Sequence, residues 1–168
     1  SFGAAGAVRY AGRHKVDGVI ALAPGHYPEG GYFTNLTANS HSKAQAMVDA
    51  GKPDETGWFD DPNSGGRLKQ VKMSAQIYLD FFEPAGPMNF GNNAAAVLPG
   101  TAVLWIIGQA EENGLRAAAM RVFERLPKGL AARQIDVSGG HPETPGKSAS
   151  VALDWIRSLQ PEAAPAAR

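Results

Sequence analysis

Six consecutive apolar residues, Ala102-Val103-Leu104-Trp105-Ile106-Ile107, constrain this chain more than any other feature. Side chains of a strand alternate between two faces, so a strand with no polar face must be covered on both. A helical stripe follows, with Leu115, Ala118, Ala119, Val122, Phe123 and Leu126 spaced for one face. Residues 131–137 read as a second strand, its alternation weakened by Arg133 and Asp136. Ser148 opens a last helix carrying Val151, Leu153, Trp155, Ile156 and Leu159. Strand, helix, strand, helix argues for a mostly parallel sheet with right-handed crossovers. The expected fold class is α/β, with helices on both faces of the sheet.

Upstream, residues 4–12 are rich in Ala and Gly and read as a helix able to approach a sheet closely. Residues 16–23 form a nearly continuous apolar run, a further doubly covered strand, ended by Pro24-Gly25. Between the two strand regions the pattern is less regular. Asn39 or Ser40 is placed to cap a helix over about 41–50, which Gly51 terminates. Residues 51–66 hold Pro53, Gly57, Pro62, Gly65 and Gly66 and read as loop. Residues 70–82 read as a helix, broken by Pro84 and Pro87, and a short helix begins near Asn89.

Composition narrows the function classes. Sixteen Lys and Arg balance 16 Asp and Glu over 168 residues, which removes any net electrostatic argument for nucleic acid or an anionic membrane. There is no cysteine, hence no disulfide framework and no thiolate zinc site. No apolar run reaches the roughly 20 residues a membrane span needs. The histidines His26, His41 and His141 follow no metal-ligand spacing. No metal and no cofactor are expected. The compartment is left open.

Three residues carry potential chemistry. Ser1 precedes Phe2 and then Gly3 and Ala4, small residues that permit a tight strand-to-helix turn; the Phe2 N–H then follows a candidate nucleophile and is an oxyanion donor. By local sequence alone Ser1 also reads as a plain helix cap. Glu111 lies just past the end of the apolar strand, where ligands bind in parallel sheets. It also reads as a glutamate at a helix start, and Glu112 competes for the same role. His141 follows Gly139-Gly140, which let the backbone turn sharply over the strand ends. A neutral imidazole there takes a serine proton and returns it to a leaving group. His26, after Pro24-Gly25, falls on the same rim and is expected to line a substrate pocket. All lie at one end of the expected sheet, and the order is Ser, Glu, His.

In these residues the chain resembles the α/β-hydrolase superfamily over almost its whole length, and is similar to bacterial hydrolases within it. Ser1-Phe2-Gly3-Ala4 looks like the end of a G-x-S-x-G elbow, without its first glycine. Residues 16–24 resemble the strand after the nucleophile helix, and Val103–Gly108 the strand before the catalytic acid, which maps onto Glu111. Gly140-His141 looks like the histidine motif. Glu in place of the commoner Asp is a departure. The resemblance implies four parts: a nucleophile elbow, helix and strand over 1–25; a helical cap or lid insertion over 26–98; the C-terminal part of the core over 99–160; and a disordered tail over 161–168.

The first strands of such a core and the loop giving a second oxyanion donor are not found in this sequence. The resemblance therefore implies an N-terminal half, as a separate chain or a missing segment. It implies a serine hydrolase, catalytic through Ser1, Glu111 and His141, acting on an acyl or other small-molecule substrate: an esterase or lipase-like role first, a peptidase second. Two rivals stand beside it. One is a non-catalytic hydrolase-like module that completes a partner chain. The other is an N-terminal nucleophile using its own α-amine as base.

Overall fold

The central strand of the computed structural model is the apolar run itself. Residues 1–64 and 67–159 are described. In chain order the elements are α1 (Phe2–Ala11), β1 (Gly18–Leu22), α2 (Gly31–Asp49), β2 (Thr56–Ser64), β3 (Arg67–Ser74), α3 (Ala75–Phe82), α4 (Phe90–Ala95), β4 (Ala102–Gly108), α5 (Asn113–Phe123), β5 (Ala132–Val137), α6 (Thr144–Lys147) and α7 (Ala149–Ser158). β4 is flanked by β1 and β5, both parallel to it, and all seven of its residues are buried. The expected tail, 161–168, lies outside the described residues.

Alternation along the strands sorts the core into two layers. Val19 and Ala21 of β1 with Val103, Trp105 and Ile107 of β4 face one side, covered by Ala4, Ala5, Val8 and Ala11 of α1, Phe90 and Ala94 of α4, and Ala119 and Val122 of α5. Ile20, Leu22, Leu104, Ile106, Ile135 and Val137 face the other, packed by Val151 and Trp155 of α7. Helices therefore cover both faces of a parallel sheet. The alanines of α1 leave no bulk between helix and strand, which is why that helix sits flat on β1.

The segment between β1 and β4 departs from the sequence reading. α2 begins ten residues earlier than expected, and neither Asn39 nor Ser40 caps it; Gly30 does. Its buried stripe is Phe33, Thr37, Ser40 and Ala44. Two of the four are hydroxyl residues, so the stripe does not read as apolar. Their polar atoms are satisfied: Thr37 donates to the Phe33 carbonyl, and Ser40 donates to Asp60 and accepts from its N–H. Residues 56–64 of the expected loop and 70–74 of the helix expected over 70–82 lie instead in an antiparallel hairpin, β2–β3, so the stretch expected as a helical insertion is not purely helical; Gly65 and Gly66 lie outside the described residues. Lys69, Gln70, Lys72 and Met73 are good helix formers, and they masked a period of two in which Val71 and Met73 face inward. Phe59 opposite Val71 anchors the hairpin: it stacks on Tyr78 at 4.6 Å between centroids, and Tyr78 on Phe82 at 4.6 Å. Ser74, at the junction, caps α3 by accepting from the Ile77 N–H at 3.4 Å. This second cluster, with Phe33, Ala44, Ala75 and Leu79, is separate from the sheet layers.

At the far edge of the sheet, Arg116 of α5 donates to Asp136 of β5 at 2.6 Å, and Gln134 also donates to that carboxylate. The Arg116 hydrogen bond holds the Asp136 carboxyl below its ordinary value. Both side chains are a third exposed, so solvent discounts the pair to about 0–1 kcal/mol. Because the folded value is depressed, that contribution is present at neutral pH and is lost as pH falls through the folded value. Asp136→Asn is expected to lower stability slightly at pH 7, with the difference from the unsubstituted protein vanishing in acid; urea melts across pH measure this. Trp105→Ala is expected to cost about 3–5 kcal/mol, whereas Leu153→Ala, on the exposed side of α7, is expected to stay within about 0.5 kcal/mol.

Candidate active site

Parallel strands end together, so the loops after β1, β4 and β5 share one rim. Ser1 meets that rim from α1. Its backbone nitrogen donates to the Leu22 carbonyl of β1 at 3.1 Å, on the strand edge away from β4. It occupies the cap position of α1, yet its hydroxyl makes no capping bond, so the plain-cap reading does not describe it.

The loop after β4 brings Glu111 to His141. The Nδ1–H of His141 donates to Glu111 Oε2 at 2.6 Å, a charge-assisted length. The Glu111 side chain is 3% exposed and that of His141 26%. Glu111 Oε1 accepts the Glu112 N–H at 3.2 Å. Of the two glutamates the carboxylate on the imidazole is therefore that of Glu111; the Glu112 carboxylate lies beside Gly114 of its own helix start. With Nδ1 donating, the neutral ring leaves Nε2 as an acceptor.

Gly25 is what lets serine and histidine meet. A β-carbon built there would lie 2.9 Å from Ser1 Oγ and 2.6 and 3.1 Å from Cε1 and Nε2 of His141. The hydroxyl and the acceptor edge of the ring thus converge over one backbone position. Two residues earlier Ala23 holds a φ of +43°, a left-handed conformation that a non-glycine residue adopts only under constraint from its surroundings. Tyr27 fixes the same loop by donating to the Pro24 carbonyl at 2.9 Å, and burial pushes its phenol pKa far up, so it stays a donor. The sequence reading took Pro24-Gly25 only as a strand stop; the available signal was that glycine also marks close approach.

The His141 loop is bolted from below. Gly139 has a φ of +95°, its carbonyl accepts the Ala110 N–H at 2.9 Å, and the buried Thr144 hydroxyl donates to the Gly140 carbonyl at 2.9 Å. Glu143 accepts the Gly140 N–H at 2.7 Å. The acid loop and the histidine loop are therefore one hydrogen-bonded unit.

Phe2 begins α1, and its N–H is one of those the helix itself cannot satisfy. His26, expected in a pocket wall, is instead 0% exposed. It sits among the rings of Phe2, Phe33 and Phe82 and reaches the Phe81 carbonyl at 2.8 Å through Nε2. With no surface to offer a ligand, it cannot line a pocket in this arrangement. His41 pairs with Glu83 across α2 and α3. Among the described residues no His, Asp and Glu group is gathered to hold a metal ion, and no helix is long and apolar enough to cross a membrane. A groove of about 320 Å³ beside α2 and α3 is lined by Gln45, Val48, Gln76 and Asp80 among others, away from Ser1 and His141.

Gly25→Ala is expected to fold, since the clashing atoms are side-chain ends, and to push Ser1 and His141 apart. Labelling of Ser1 by a fluorophosphonate is then expected to slow roughly 100-fold, the cost of an ångström-scale misplacement.

No family model matches the sequence, and no curated protein matches it. Solved structures do. The monoacylglycerol lipase of Paleococcus ferrophilus is 18% identical at a TM-score of 0.62, over 95% of this chain and 66% of that one. DcsB, in complex with its substrate analogue, is 13% identical at 0.60, over 95% and 61%. The α/β hydrolase GrgF from Penicillium sp. sh18 is 14% identical at 0.58, over 94% and 60%. The chain thus spans between 60% and 66% of the length of these structures. Parallel sheet, helices on both faces, and three structures matched over nearly the whole chain lead to one conclusion: this chain has the α/β-hydrolase fold.

Proposed function

We propose that this chain carries the catalytic residues of a serine hydrolase that cleaves an ester, or a thioester or amide by the same chemistry, through a covalent acyl-enzyme. The observation that carries the reading is the Glu111–His141 hydrogen bond, with His141 Nε2 and Ser1 Oγ brought together over Gly25. Ser1 Oγ attacks the substrate carbonyl carbon while Nε2 takes its proton. The carbonyl π electrons move onto oxygen, and the Phe2 N–H at the positive end of α1 holds that oxyanion. Collapse expels the alcohol, thiol or amine with the proton from His141. Water then repeats the sequence on the acyl-serine. Glu111 keeps the tautomer and stabilises the imidazolium. Substrate and water balance the reaction without a cofactor.

Esterase or lipase-like activity is the first choice and peptidase the second. A monoacylglycerol lipase among the similar structures agrees with that order. Residues 26–98 serve in this reading as the cap over the site, with 1–25 and 99–160 as core. The outer edge of β1 carries no strand among the described residues, and the Ser1 N–H already bonds across it. Strands from outside residues 1–168 are proposed to pair there and extend the sheet, with one of their loops supplying the second oxyanion donor. The rival reading, a non-catalytic module that completes a partner chain, draws on the same open edge.

The reading makes the chain active only with the N-terminal half present, so intact mass before and after fluorophosphonate treatment of the full-length protein separates the two. One adduct mapping to Ser1, abolished by Ser1→Ala, is the expected result; folded protein that never labels would leave the module reading. Glu111→Gln is expected to lower kcat by about 10⁴, and His141→Gln by at least as much.

A further inference from the structure

His26 is fully buried and makes a specific hydrogen bond, yet it belongs to neither the catalytic trio nor a pocket wall. Its position joins three parts of the molecule. In sequence it adjoins Gly25, the floor beneath Ser1 and His141. Its ring meets Phe2 in an edge-to-face contact at 4.7 Å, and Phe2 directly follows Ser1. Its Nε2–H donates to the Phe81 carbonyl at 2.8 Å, one of the last-turn carbonyls of α3 that lack helical partners. Phe33 from α2 and Phe82 from α3 each stand at 5.4 Å from the ring. Phe2 and Phe81 close the circuit at 4.6 Å.

We propose that His26 is a positioning residue that couples the α2–α3 insertion to the nucleophile: one ring fixes the end of α3, the residue after Ser1 and the glycine under the reacting atoms. The inference rests on the serine-hydrolase reading and adds to it a route by which packing of the insertion sets the acylation rate. An apolar residue of similar size would keep apolar contact with the phenylalanine rings and lose the bond to Phe81. The end of α3 would then lose its tie to the loop of Gly25 and to Phe2, leaving that loop to the Tyr27–Pro24 hydrogen bond, while Glu111 and His141, on other loops, would be unchanged. The acylation step is therefore the one that suffers. His26 has no exposed surface from which to touch substrate.

The test compares His26→Leu with His26→Gln, whose amide nitrogen reaches about as far from the backbone as Nε2. The probes are a small p-nitrophenyl ester, a fluorophosphonate, and hydrogen exchange over residues 77–82. For folded His26→Leu the expected result is a 10- to 100-fold loss in kcat and in labelling rate, of the order that misplacement of reacting groups produces. KM is expected within about twofold, because ground-state binding is untouched, and exchange over 77–82 is expected to quicken. His26→Gln is expected to restore most of all three. A wild-type rate in folded His26→Leu, or equal damage in His26→Gln, overturns the proposal. Should the leucine variant not fold, His26→Asn, whose amide falls short of Phe81, takes its place, and an unchanged kcat there overturns the proposal equally. Unsubstituted protein that never labels refutes the serine reading and with it the coupling to catalysis. Exchange over 77–82 then reports separately whether His26 holds α3.

Discussion

The structure depends on β4 being apolar on both faces. A strand with no polar face is unstable unless something covers each side, and the pairing of β4 with parallel neighbours forces the helices between them onto those sides. α1, α4 and α5 take one face and α7 the other. The parallel arrangement has a geometric by-product. All three strands finish at the same rim, so the loops after β1, β4 and β5 are brought within hydrogen-bonding range without any dedicated contact between distant parts of the sequence. Glu111 and His141 are thirty residues apart and 2.6 Å from one another for this reason.

What the sheet brings near, local backbone chemistry makes accurate. The serine and the imidazole approach over Gly25 because that position has no β-carbon. The loop leaving β1 passes through a left-handed Ala23, a conformation that the buried surroundings must hold against its intrinsic cost. Gly139 turns the last loop, while Thr144 and Glu143 absorb the polar groups of Gly140. The site's parts are hydrogen-bonded to a strand end and to each other.

The insertion is built on a different principle. Its core is an aromatic stack running from Phe59 through Tyr78 to Phe82, tied by polar bonds from Ser40 to Asp60 and from Tyr78 to the Asp60 carbonyl. Tyr27, Met88, Phe90, Ala94 and Val97 of the same stretch pack instead into the sheet core, and His26 joins the two through its contacts with Phe2, Phe33 and Phe82.

The sequence by itself determined the sheet and its rim. The apolar runs at 16–23 and 102–107, the helical stripe at 114–126 and the glycines before His141 act locally, and local signals survive in a linear reading. That is why Ser1, Glu111 and His141 were legible as candidates. Tertiary structure decided the rest. Glu111 and Glu112 are adjacent and chemically alike, and only the turn after β4 selects which one meets the imidazole. His26 is the same residue whether it lines a pocket or fills a core, and only the surrounding rings exclude it from solvent. Hydroxyls hid the buried stripe of α2, and helix-forming lysines and glutamine hid β3, because what buries them is a partner distant in sequence. Gly25 read as a stop until two side chains from opposite ends of the chain were seen to close over it. Such outcomes depend on which atoms lie across a gap, and no linear pattern records that.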